Sequence, residues 1–191
     1  MSAPIQNALL FLITTLFDLY IFVLIVRLVL AWVRADYRNP LSQMFIKLTQ
    51  PLVAPLRRII PNYKNLELAT LVLVIVLELC KFFLVALLVK TLPAFAGVFV
   101  LSFADALRSL VNLFFYAILI QAVMSWVNQG YSPVSDLLAK ITAPIMRPFH
   151  RIIPPIGGID VSPIAAMVTL QLIIILAVGP LFSLGQVMAF G

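Results

Sequence analysis

A fifteen-residue segment occurs twice in this chain, each time between two long apolar runs. Lys47–Pro61 and Lys140–Pro154 align at an offset of 93, and 8 of the 15 positions are identical. The shared residues are the leading Lys, Thr49 and Thr142, the proline pairs Pro51/Pro144, Pro55/Pro148 and Pro61/Pro154, the arginines Arg58/Arg151, and both Ile of the closing Ile-Ile-Pro. A repeat of this period dictates architecture, because whatever unit the first copy forms must be formed again. The expected fold class is an all-α membrane protein: four transmembrane helices as two parallel helical-hairpin repeats, each with a cytoplasmic amphipathic, proline-rich loop.

The apolar runs set the number of spans. Of 191 residues, 63% are hydrophobic and 10% charged, with mean hydropathy +1.14. Soluble domains are about one quarter charged, so this composition excludes an ordinary water-soluble fold and points to a polytopic membrane protein. Spans are expected at about 5–33, 66–90, 99–127 and 161–182, each meeting the roughly 20 residues a bilayer requires. Pro93 and Gly97 punctuate the turn between the second and third. The repeats divide the chain into 1–93 and 94–191. The N-terminus lacks a basic region followed by a short apolar core and cleavage site, so the first run is expected to remain as a span.

Charge sets the orientation. The segments 34–65 and 128–160 hold nine of the thirteen Lys and Arg residues. By the positive-inside rule both repeated loops are cytoplasmic and both termini lie outside. Two spans per repeat make the repeats parallel about the membrane normal. The net charge of +6 then serves anionic headgroups rather than nucleic acid. Trp32 and Trp126 match at an offset of 94 and should mark one interface. Cys80 is the single cysteine; without a CxxC pair it reads as a small apolar filler.

The loops carry their own pattern. Leu41, Phe45, Ile46, Leu48 and Leu52 recur at near-helical spacing, as do Leu137, Leu138, Ile141 and Ile145. Short amphipathic helices in the interface are expected, the second capped by Ser135 or Asp136. Pro51 and Pro144 should break or kink them. Pro55, Pro61, Pro148 and Pro154 should keep the chain extended, with Arg57, Arg58, Arg147, His150 and Arg151 facing lipid phosphates.

Ionisable groups within the apolar runs are few and expensive. They are Asp18, Arg27, Glu78, Lys81, Asp105 and Arg108, the last two expected near the outer end of the third span. The repeat aligns Asp18 with Asn112, Arg27 with Gln121, Glu67 with Asp160 and Glu78 with Gln171. Asp18 lies 14 residues from Trp32, and Lys81 lies 14 from Glu67, about 21 Å along each helix. A cluster of Asp18, Lys81 and Glu78 between the first two spans is expected. Asp18 and Arg27, nine apart, fall on opposite faces; Arg27 should snorkel or meet Glu67. Such groups serve either as polar glue between helices, worth about 0.6–2 kcal/mol per contact, or as an ion or proton path.

No hydrolase, protease or nucleotide-binding motif is present, so no catalytic residue, cofactor or metal is expected. His150, the lone histidine, replaces Arg57 of the first copy and reads as an interfacial base; a haem or metal site needs more ligands. Gly157-Gly158 after Pro154-Pro155 reads as a turn.

The repeated P-x3-P-x-[RH]-R-I-I-P block, the Trp before it, and Gly157, Gly158, Asp160, Ser162 and Pro163 entering the fourth span resemble the YggT family of small bacterial membrane proteins. The first copy departs after Pro61, where Glu67 stands for the Asp and Ala69-Thr70 for Ser-Pro. The resemblance implies a multi-pass protein of the bacterial inner membrane, without an assigned catalytic activity. It further implies links to osmotic stress and ion homeostasis and, in some lineages, cell division; plastid and cyanobacterial relatives imply haem attachment to a b-type cytochrome (cytochrome assembly). The residues favour a non-enzymatic membrane assembly or scaffold factor. Its expected partners are the lipid bilayer, its headgroups, a membrane protein at the cytoplasmic face and further copies of itself. The alternatives are a potassium or proton transport protein and, behind that, a factor assisting haem attachment.

Overall fold

The computed structural model describes residues 3–127, 132–154 and 160–191. The chain runs through α1 (Ala3–Trp32), α2 (Pro40–Arg57), α3 (Leu68–Val89), α4 (Phe95–Val127) and α5 (Pro133–Ile152). A last span follows: α6 (Ser162–Ile173), a π-helical turn (Ile174–Val178) and α7 (Gly179–Phe190). Among the described residues the only β pairing is an isolated bridge between Tyr63 and Leu66. Among the described residues four helices are long and apolar enough to cross a membrane: Ala3–Trp32, Leu68–Val89, Phe95–Ser125 and Ser162–Phe190. The protein is thus an all-α membrane protein.

Helix ends follow local chemistry. Arg34 adopts φ 53 just past α1, and the Ala35 N–H donates to Leu30 O at 2.9 Å. Lys90 does the same past α3 at φ 61, with the Thr91 N–H on Ala86 O at 3.0 Å. A left-handed residue closes many helices and is usually Gly. Here a cation takes the place, beside the negative end of each helix dipole. Asn39 caps α2 by accepting from the Leu41 N–H at 2.9 Å, with Pro40 in the first turn, where its missing N–H costs nothing. Ser132, not Ser135 or Asp136, caps α5. Its hydroxyl accepts from the N–H groups of Val134 and Ser135, and the Ser135 hydroxyl accepts from the Ser132 N–H.

The internal prolines do not break the interfacial helices. α2 passes through Pro51 and Pro55, and α5 through Pro144 and Pro148. Each pair is four apart and shares one face, which is exposed or half-exposed. The carbonyls deprived of an N–H lie on that outer side, where water or headgroups satisfy them, so the helix continues.

The fourth span also outlasts its expected end at 182 and runs to Phe190. Pro180 has no N–H for a regular turn. The helix widens ahead of it, and the Gly179 N–H reaches back five residues to Ile174 O.

The main core joins α1, α3, α4, α5 and α6 around Leu24, Ile25, Leu73, Phe114, Ile118 and Leu170. α1 contributes buried residues only from Ile21 onward; none from Ala3 to Tyr20 is buried. A second cluster packs α4 on α7 through Val98, Leu101 and Ala189. Gly97 lies inside α4, not in a turn. A Cβ there would overlap the backbone of Ala189, and the Ala94 N–H donates to Ala189 O at 3.0 Å.

Candidate functional site

Two polar networks stand out, one where α2 meets the spans and one inside them. In the first, Arg27 of α1 is 3% exposed. Its guanidinium forks onto Glu67, Nε to Oε2 at 2.7 Å and Nη2 to Oε1 at 3.0 Å. It also donates to the Thr49 hydroxyl at 2.8 Å, Gln50 Oε1 at 3.3 Å and Ile46 O at 3.4 Å on α2. Thr70 donates to Glu67 Oε2 at 2.6 Å, and Arg57 closes the ring onto Glu67 Oε1. A planar fork with five donors suits such a node, which an ammonium could not fill. Glu67 stands just outside the span that begins at Leu68. Burial raises its pKa, but the hydrogen bonds from Arg27 and Thr70 and the charges of Arg27 and Arg57 outweigh that and hold it below the ordinary value.

The second copy places related residues together with less charge. Thr142, the partner of Thr49 in the repeat, donates to Gln121 Oε1, where Gln121 stands for Arg27. His150, standing for Arg57, sits 3.1 Å by Nε2 from Oδ2 of Asp160, which stands for Glu67. Asp160 also accepts from the Ser162 N–H at 2.9 Å. Slight burial raises the Asp160 pKa; the Ser162 hydrogen bonds and His150 together lower it below the usual value. The Asn39 amide donates to Pro133 O at 2.7 Å, tying the start of α2 to the start of α5.

The second network lies among the spans. Lys81 Nζ stands 2.7 Å from Asp18 Oδ1, 2.6 Å from Glu78 Oε2 and 2.6 Å from Asp105 Oδ2. Glu78 and Lys81 are one turn apart on α3; Asp18 comes from α1 and Asp105 from α4. Asp105 therefore belongs to the cluster and not to the outer end of its span. Glu78 and Lys81 are buried, whereas the Asp18 side chain is 60% exposed. One cation thus faces three carboxylates in a region with little water. Among the described residues no group of three or more His, Cys, Asp or Glu is disposed to hold a metal.

The remaining residues divide by environment. Arg57 and His150 are turned to carboxylates, while Arg58, Arg147 and Arg151 are exposed, as are Pro51, Pro55, Pro61, Pro148 and Pro154. Pro144 and Pro163 are half-buried and Ser162 is buried, with its hydroxyl 3.4 Å from Ile153 O. Asn112 and Gln171 are half-buried, and among the described residues neither side chain makes a hydrogen bond. Gly157, Gly158 and the side chain of Trp126 lie outside the described residues. Trp32 packs edge-on against Phe114, ring centres 6.4 Å apart. Cys80 is exposed on its span. Reasoning from sequence missed Thr49 and Thr142 as anchors, although their identity in the two copies was the available signal. Gln50 and Thr70 gave none.

Four apolar helices, two amphipathic helices packed against them and buried ion pairs define a polytopic helical membrane protein. The CCB3/YggT family profile matches residues 6–88 and 100–181, and the chain belongs to that family. It is 42% identical over 168 residues to a Vibrio alginolyticus protein named "Uncharacterized protein in proC 3'region", covering 87% of this chain and 91% of the relative. It is 37% identical over 170 residues to "Uncharacterized protein YggT" of Escherichia coli K12, 88% of each chain. It is also 37% identical over 194 residues to "Uncharacterized protein PA0392" of Pseudomonas aeruginosa, 94% of this chain and 93% of that one. No solved structure matches.

Proposed function

We propose that this protein is a non-enzymatic assembly or scaffold factor of the bacterial inner membrane. Its two interfacial helices and their basic ends meet anionic headgroups and a membrane-protein partner at the cytoplasmic face, with both termini outside. The observation that carries this reading is how the loop charges are used. Arg27, Thr49 and Glu67 bind α2 to the spans, and Asn39 links it to α5. Arg58, Arg147 and Arg151 are left facing outward. A surface held this firmly, with these three arginines free of carboxylates among the described residues, suits phosphate-bearing lipid and an acidic protein face. The duplication in sequence supports two such surfaces on one side.

The test is Arg58→Glu combined with Arg151→Glu in the full-length protein. Loss of co-purifying membrane protein and weaker binding to vesicles containing phosphatidylglycerol are expected. Unchanged association of the folded variant overturns the reading.

A second reading is favoured by one observation, the three carboxylates around Lys81 with Asp18 open at the surface. This is an ion-homeostasis role in which Asp18, Glu78 and Lys81 line a potassium or proton path. Flux in proteoliposomes that Asp18→Asn or Glu78→Gln abolishes supports it; flux no greater than in empty liposomes rejects it.

A further inference from the structure

Lipid covers exposed Leu and Phe at no cost, so the bare apolar face of α1 between Ala3 and Tyr20 needs no protein partner. Charges are different. Asp18 is nine residues, about 13 Å, from Arg27, well inside a hydrocarbon layer roughly 30 Å thick. Its side chain is nevertheless 60% exposed. Arg108 of α4 is also exposed, and among the described residues it has no carboxylate partner. Lys81 brings Asp18 and Asp105 to one level. Arg108 follows Asp105 by one turn, about 4.5 Å along the helix. An excess of negative charge and an unmatched cation thus lie at nearly the same depth on the outside of one chain. Both would face acyl chains in a monomer, where ionised groups are rare unless paired or wet.

We propose that the face carrying Asp18 and Arg108 is the contact between two copies of this chain within the membrane, Asp18 of each copy pairing with Arg108 of the other. A two-fold contact is self-complementary, so it forms this bridge twice and leaves neither charge on lipid. It brings each Lys81 cluster to two cations against three carboxylates. The inference stands on the membrane-spanning fold alone and does not depend on the scaffold reading.

The experiment uses full-length protein in nanodiscs, with Cys80→Ala to remove the exposed native thiol. Differently tagged copies carry Asp18→Cys and Arg108→Cys, mixed or alone. The mixed pair keeps one Asp18–Arg108 bridge and sets the two thiols opposite each other, so it cross-links fastest. Copies bearing only Asp18→Cys lose both bridges and cross-link slowly. In parallel, Asp18→Asn and Arg108→Gln, which keep side-chain size, each weaken association of tagged copies by about tenfold. A monomeric Cys80→Ala protein, or mixed pairs that cross-link no faster than matched ones, overturns the proposal. So does association that the two neutral variants leave unchanged, which would mean that lipid, water or another protein covers these charges.

Discussion

Replacing Arg27 by Met removes a node rather than a contact. The guanidinium makes five hydrogen bonds, two to Glu67 and three to α2. Without it Glu67, 3% exposed, remains a buried carboxylate. Removing one partner of a buried ion pair costs about 3–5 kcal/mol. Arg57 and Thr70 still hold Glu67, so the low end, about 3 kcal/mol, applies. Arg57 itself is 39% exposed and is screened, so its contribution is that of a surface pair, below about 1 kcal/mol. Glu67→Met alone strands Arg27 in the same way. The double variant Arg27→Met with Glu67→Met strands neither and should lose less than either single change. Reversible denaturation in detergent micelles, followed by circular dichroism, gives the three values. The coupling across the cycle should exceed about 2 kcal/mol. Single losses below about 1 kcal/mol, or a double loss equal to their sum, refute the reasoning and would mean that water reaches Glu67.

The pH dependence follows from the same carboxylate. Glu67 has a folded pKa below its unfolded value, so its contribution is complete above the ordinary carboxylate range near about 4.3 and is lost as pH falls through the folded value. Titrating stability from neutral pH downward should show a loss that Glu67→Gln flattens. Gly97→Val drives side-chain atoms into the Ala189 backbone. It should cost about 2 kcal/mol by overpacking, read as a lower midpoint and faster hydrogen exchange in α7. Pro180→Ala restores an N–H, so a regular turn can replace the π turn at Ile174–Val178. Slower exchange near residue 180 is expected, with little change in overall stability.

Much of this was readable in the sequence because hydrocarbon is an unforgiving solvent. A run of apolar residues long enough to span must be helical, since no water is available to satisfy its backbone. The few charges must meet, so depth counted along two helices was enough to bring Asp18, Lys81 and Glu78 together. Reasoning at the loops was weaker because water competes there. A proline stops a helix only when the carbonyl it orphans has nowhere to go, and Pro51, Pro55, Pro144 and Pro148 lie on an outward face. Asp105 was misplaced for another reason. Its depth was counted from the expected start of the third span at 99, but α4 begins at Phe95, which sets Asp105 about one turn further inside the helix.

The two copies use the same positions for different purposes. Where the first copy has Arg27, Thr49, Arg57 and Glu67, the second has Gln121, Thr142, His150 and Asp160. The first set is closed: Glu67 is buried and bound from several sides. The second is open: His150 and Asp160 are each 50% exposed at the side chain. Threonine is the one member unchanged, and in both copies its hydroxyl also lies within hydrogen-bond reach of the carbonyl four residues back in its own helix. It therefore anchors the interfacial helix whichever partner the span supplies. A fold needing only two copies of one strut would have no reason to make one a buried ion-pair network and the other less charged and accessible. If the open set only braces α5, Arg27→Gln with Glu67→Asp should leave the first copy as well held as the second. That variant should keep α2 docked, with its stability loss smaller than that of Arg27→Met. If α2 comes free instead, read as rapid labelling of a cysteine placed at the buried Ser42 of α2 in a Cys80→Ala background, the second copy is held by something other than its Gln-Thr pair, and the surface around His150 and Asp160 has work beyond bracing.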